Sequence, residues 1–268
     1  MHDERQPPAG APDPAQAAPA EQIPALLHDA REETLLVLLD HPAFDETHLC
    51  LLLERKELSG QFLEEIARRK SFLKSYRVKR ALVMHPHTPR LAGMRLLRDL
   101  YLLDLVQLSL RPSVHAELKR QAEEILINRL PQIALGQKIM LARRGPARVA
   151  GALLAEGLAQ PLQVVLDNPF LTESQVLKVL ARPRLPAGVI LTIARHRKWS
   201  QLGHVRMALV RHPATPLATV LGFLPTIPVS DLRELAAASS LPARVRGYIR
   251  REVEHRLAHG GRSRGGPV

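Results

Sequence analysis

Aromatic side chains are scarce in this 268-residue chain, at 3% of positions. Sheet cores draw on Tyr, Phe, Trp and Thr, so the shortage points to helices packed through Leu, Val, Ile and Ala. Cysteine is nearly absent. The single thiol, Cys50, excludes an intrachain disulfide framework and a four-cysteine metal or cluster site. Its neighbours Leu49, Leu51, Leu52 and Leu53 predict a buried, inert sulfur. No apolar run reaches the roughly 18 residues that a membrane-spanning helix needs. The opening, Met1-His2-Asp3-Glu4-Arg5-Gln6-Pro7-Pro8, lacks the basic-then-apolar layout of a signal peptide, so a cytoplasmic location is the expectation.

Catalytic signatures are missing as well. There is no P-loop and no H-E-x-x-H pattern. Glu64-Glu65 and Glu123-Glu124 sit in helical patterns, where paired carboxylates most simply form solvated faces. His85-Pro86-His87 has two imidazoles but no further ligands, which falls short of a zinc site. The expectation is a protein without metal, cofactor or catalytic residues.

What is present is basic charge and repetition. The net charge is +12, and it is unevenly spread. Residues 177–268 hold 16 Lys and Arg against 4 Asp and Glu, whereas residues 23–127 hold 16 against 15. An acidic or polyanionic partner is therefore expected at the C-terminal third. Residues 1–21, rich in Pro and Ala, and 259–268, a Gly-Arg run, read as disordered tails. Between them, over 22–258, apolar residues recur at helical spacing.

A Pro-marked helix end recurs along this segment. His41-Pro42, His85-Pro86, Asn168-Pro169 and His212-Pro213 each follow an amphipathic stretch, with a degenerate copy at Asn128-Arg129-Leu130-Pro131. The markers stand 44, 43, 40 and 44 residues apart. A shift of 127 residues also lays Val78-Lys79-Arg80-Ala81-Leu82-Val83-Met84-His85-Pro86 over Val205-Arg206-Met207-Ala208-Leu209-Val210-Arg211-His212-Pro213. It pairs Phe72 with Trp199 and Asp104 with Asp231. The residue before Pro is driven out of the helical region, so each marker ends a helix. Thr88-Pro89 and Thr215-Pro216 then read as N-cap and first helical residue, and Thr172 with Gln175 as a capping box. Three helical segments are expected per unit: 89–100, 102–110 and 113–127 in one, 216–223, 229–239 and 242–258 in another.

Three helices in about 43 residues cannot enclose a core alone, and stacking on neighbours buries their remaining apolar faces. Unit length, the Pro-marked helix start and phrases such as Val205-Arg206-Met207-Ala208-Leu209 resemble bacterial armadillo- or HEAT-type repeats over 31–258. The expectation is an all-α, right-handed α-solenoid of about five units, starting near 41, 85, 128, 168 and 212 after an N-terminal capping helix. The resemblance implies a curved surface that holds another macromolecule.

The repeated His41, His85 and His212 argue against catalysis, because an active site is rarely copied from unit to unit; they are expected to satisfy backbone groups at helix ends. Basic residues are the functional lead. Arg68 with Arg195, Lys70 with Arg197 and Lys79 with Arg206 occupy equivalent positions and are expected to line a basic stripe, joined by Arg246 and Arg250 four residues apart on the last helix. The leading function is a non-enzymatic scaffold that binds a partner protein through its concave or basic surface. A nucleic-acid-binding protein using the Arg-rich C-terminal repeats is the alternative, without base stacking, since aromatics are few. A HEAT-like DNA glycosylase is the remote third, set aside because Trp199 has a repeat counterpart in Phe72.

Overall fold

The computed structural model describes residues 19–29, 31–238 and 241–260. Among them there are helices and no strands. The chain divides into two compact halves, residues 1–126 and 127–268, so the division matches the 127-residue period of the sequence.

The N-terminal half contains α1 (Ile23–Asp29), α2 (Glu32–Leu38), α3 (Glu46–Leu52), α4 (Gly60–Arg68), α5 (Tyr76–Met84), α6 (Arg90–Leu96), α7 (Leu102–Leu110) and α8 (Ala116–Arg129), in which the division falls. The C-terminal half continues with α9 (Leu135–Arg144), α10 (Ala147–Glu156), α11 (Ala159–Leu166), α12 (Glu173–Leu180) and α13 (Ala187–Arg195). It ends with α14 (Gly203–Arg211), α15 (Leu217–Phe223), α16 (Val229–Ala237) and α17 (Ala243–Gly260). Short 3-10 turns punctuate both halves, at Phe72–Lys74 and Leu97–Asp99 in the first and at Trp199–Gln201 and Leu224–Thr226 in the second. Three α-helices follow each of the five Pro-linked markers, α3–α5 after His41 and α15–α17 after His212.

Local chemistry sets these short lengths. In α4 the Ser59 hydroxyl accepts from the Phe62 amide at 3.2 Å, and Phe62, Leu63 and Ile66 form the buried face. In α5, Ser75 caps Val78 at 3.3 Å, and the helix stops at His85, held extended (φ −74°, ψ 137°) by the following proline. The buried side chains are overwhelmingly Leu, Val and Ile. In the C-terminal half, Val210, Val220, Leu224, Ile227, Leu232, Leu235, Leu241 and Ile249 make one such cluster.

The markers do more than end helices. The His85 ring accepts the His87 amide at Nδ1 (3.2 Å), which places its proton on Nε2, and Nε2 donates to the carbonyl of Arg55 at 2.6 Å. His212 repeats the arrangement on Ala214 (3.2 Å) and Arg182 (2.9 Å). Asn168 does the same with an amide: Oδ1 accepts from Phe170 at 2.7 Å while Nδ2 donates to Ala142 (2.8 Å) and Gly145 (3.0 Å). Each side chain thus ties a helix end to backbone 23 to 30 residues earlier.

Several sequence expectations need correction. Thr88 and Thr215 do not cap the helices that follow. Their hydroxyls donate backwards to Leu82 and Leu209 (2.5 Å for Thr215), and Pro89 and Pro216 hold the cap positions. The extended residue before each helix is the proline itself, which leaves the hydroxyl facing the exposed carbonyls of the preceding helix. Thr172 does accept from Gln175, at 3.4 Å. Asn128 does not end its helix; α8 runs through Arg129, because Pro131 is three residues away and restricts only Leu130. The expected 89–100 segment is α6 followed by a 3-10 turn, and 113–127 is α8, starting at Ala116. Cys50 is half-buried rather than buried, since it lines an open cleft, while Leu49 and Leu52 of the same helix are buried. The predicted tails lie largely outside the described residues, but Ala20–Gln22 form a 3-10 turn and α17 reaches Gly260.

Candidate binding clefts

Helices α3, α5 and α7 bound an open cleft of about 1090 Å³ in the N-terminal half. Helices α12, α14 and α16 bound one of about 680 Å³ in the C-terminal half. Eleven of the twelve residues lining the second cleft, shifted back by 127, line the first. Leu53 answers to Leu180, Ala81 to Ala208, His85 to His212, Pro86 to Pro213 and Asp104 to Asp231. The same backbone concavity therefore occurs in each half, with the His-Pro marker in its wall. Sequence reasoning singled out these histidines and prolines but not the concavity.

The clefts share shape more than chemistry. Cys50, Lys56, Arg77 and Arg80 of the first stand where the second has Leu177, Pro183, His204 and Met207. In the first, Arg80 Nε donates to Asp104 at 2.5 Å, and the Tyr76 hydroxyl donates to the same carboxylate. Burial, followed by that carboxylate, pushes the Tyr76 phenol up to about 12. The Tyr76 ring packs against Tyr101 with centroids 4.2 Å apart. In the second cleft Arg211 pairs with Glu234. Burial pushes the Cys50 thiol up and the His85 imidazole down, so both are held neutral. Neutral His85 is the form its two hydrogen bonds require.

The eight expected stripe residues divide between the halves: Arg68, Lys70 and Lys79 in the first, Arg195, Arg197, Arg206, Arg246 and Arg250 in the second. None of them lines either cleft. Arg68 is exposed and paired with Glu64 at 3.1 Å, while Lys70 is exposed without an ion pair among the described residues. Lys79 and Arg206, at equivalent positions, both reach the end of a 3-10 turn twenty residues on. Lys79 meets Asp99 at 2.5 Å; Arg206 donates to the Thr226 carbonyl at 3.2 Å and to that of Gln201 at 2.6 Å. Both therefore brace their helix. Arg246 is half-buried, its Nε shielded from solvent. Arg195, Arg197 and Arg250 are exposed, with no ion pair among the described residues. Trp199 is 1% exposed and its indole donates to Leu166 at 2.9 Å, so its polar edge is used within the fold.

The halves also differ in net charge. Residues 127–268 hold 21 Lys and Arg against 7 Asp and Glu, and residues 1–126 hold 17 against 19. Five of those seven acids, Glu156, Asp167, Glu173, Glu234 and Glu252, already meet a cationic or imidazole partner. Among the described residues no group of three or more His, Cys, Asp or Glu is placed to hold a metal, and no helix is long and apolar enough to cross a membrane. Compared with models of protein families, with curated proteins and with solved structures, the chain matches none.

Proposed function

We propose that this all-helical chain is a non-enzymatic repeat protein of the α-solenoid kind, similar to armadillo or HEAT proteins, that binds a partner protein in its clefts. The observation that carries the reading is the recurrence of one concavity at a 127-residue shift, built from equivalent helices and eleven equivalent positions. A catalytic site gains nothing from being copied with altered side chains. A binding surface gains reach and avidity when two concavities engage one partner. Filling both clefts is the test. Ala81 and Ala208 are half-buried at equivalent places in the walls. An Ala81→Trp/Ala208→Trp protein with wild-type circular dichroism should lose the partners that the wild-type protein retains from host extract. Equal retention, or turnover of a substrate by the isolated chain, would sink the reading.

The C-terminal half supports a second reading, a nucleic-acid backbone contact, because it holds 21 basic residues against 7 acids, and Arg195, Arg197 and Arg250 are exposed without ion pairs among the described residues. Phosphate neutralisation makes affinity fall linearly on a log–log salt plot with a slope set by the number of contacts. Anisotropy of a labelled DNA duplex at several salt concentrations tests it: binding that persists at physiological salt with a steep slope supports the reading, and none at that salt removes it.

A further inference from the structure

We propose that the N-terminal cleft takes an acidic segment of the partner protein, with Lys56, Arg77 and Arg111 as its carboxylate-binding side chains. The proposal rests on the clefts being protein-binding surfaces and adds the chemistry of the bound segment. Its starting point is a reversal of charge. The half that is acidic overall, with 17 basic residues against 19 acids, has a cleft lined by four cations and two acids. The strongly basic half has a cleft lined by one Arg, two His and two acids. The cations of the first cleft are therefore not overflow from a generally basic surface; they are concentrated against the trend of their own half.

Of the four cations, Arg80 is engaged by Asp104. Lys56, Arg77 and Arg111 are exposed and make no ion pair among the described residues. Arg77 stands where the other cleft has His204, and Lys56 where it has Pro183, so the same backbone does not require Lys or Arg there. The free guanidinium forks of Arg77 and Arg111 match carboxylates in bidentate geometry. Half-buried Leu51 and Ala81 lie in the same walls and offer apolar contact to side chains between the acids. Nucleic acid fits less well. A duplex presents a long phosphate array to the whole half, whose net charge is of the repelling sign, and it gains little from the apolar wall.

The single cysteine makes the test local, because Cys50 lines this cleft and is half-buried. The full-length protein is titrated with a fluorescein-labelled peptide of alternating Glu and Leu, with its Gln/Leu and Lys/Leu counterparts, and with a DNA duplex. Anisotropy and the rate of Cys50 alkylation by N-ethylmaleimide are followed together. The acidic peptide should bind and slow alkylation. Lys56→Gln/Arg77→Gln/Arg111→Gln should bind it about tenfold more weakly, since exposed ion pairs are each worth a few-fold. Melting should be unchanged, and Arg195→Gln/Arg197→Gln/Arg250→Gln should leave peptide affinity at the wild-type value. Equal binding and protection by the Gln/Leu peptide would overturn the acidic preference while leaving the cleft as a protein site. Peptides that bind without slowing alkylation would overturn both. Protection by the duplex and not by the peptide would assign the cleft to phosphates, and unchanged affinity in the triple variant would remove the named residues.

Discussion

Replacing His85 by Ala removes two hydrogen bonds from a side chain only 5% exposed. One reaches the Arg55 carbonyl at 2.6 Å, the other holds the His87 amide at 3.2 Å. Each is worth about 1 kcal/mol net, and a backbone group left buried without its partner costs about 1–3 kcal/mol more. The expected loss is therefore about 2–4 kcal/mol, or roughly 5–15 °C in Tm at the 2–4 °C per kcal/mol usual for chains near this size. His85→Asn is the informative companion. Its shorter amide keeps an acceptor for His87, as Asn168 does for Phe170, but falls short of Arg55, so it should recover about half of the loss. Acid should act in the same direction. Burial holds the His85 pKa below its ordinary 6.5, so the unfolded chain binds a proton there that the folded protein refuses. That contribution is complete above pH 6.5, falls as the pH drops below it, and is exhausted once the pH is beneath the folded-state pKa. Urea melts of the three proteins between neutral and mildly acidic pH measure both effects, with an unchanged m-value showing that the unfolded state is comparable. A His85→Ala protein within about 0.5 kcal/mol of wild type, or His85→Asn no better than His85→Ala, would refute the idea that this ring ties two distant backbone segments.

Trp199→Ala should cost about 3–5 kcal/mol, the range for a buried large aromatic, with an added share from the orphaned Leu166 carbonyl; Trp199→Phe, the residue at the equivalent Phe72 position, should cost much less, and thermal unfolding separates them. Gly157 is the one described residue with a left-handed backbone (φ 74°), and a Cβ there would sit 3.0 Å from both Pro186 and Val189, so Gly157→Ala should destabilise by more than about 1 kcal/mol in the same assay. Burial raises the Cys50 pKa above its ordinary 9.0, so its alkylation should be slower than that of free cysteine at neutral pH and should still be accelerating at pH 9.0, where a free thiol's rate has begun to level. Removing Arg195, Arg197 and Arg250 should leave Tm unchanged, whereas Arg206→Ala should lower it, because Arg206 alone of the four holds two backbone carbonyls.

The helices and their ends were legible in the sequence because they answer to local rules. Apolar spacing, Ser and Thr caps and the restriction imposed by proline act over a few residues, which is why α7 and α15 to α17 start and stop within a few residues of where the pattern places them. The 127-residue correspondence was legible too, since it is written in residue identities. The direction of a side chain was not. Nothing local tells Lys79 and Arg206 to brace a 3-10 turn while Arg195 and Arg197 stay exposed. Those choices depend on which carbonyls and carboxylates the packed helices bring within reach, from residues twenty positions away. The clefts belong to the same class, because α3, α5 and α7 come from two successive marker intervals and meet only when packed. Sequence alone therefore determined a helical chain with a duplicated pattern and a basic C-terminal third. Tertiary packing decided which of its cations are structural, which are free, and that the freest ones facing a cleft lie in the half with the smaller charge.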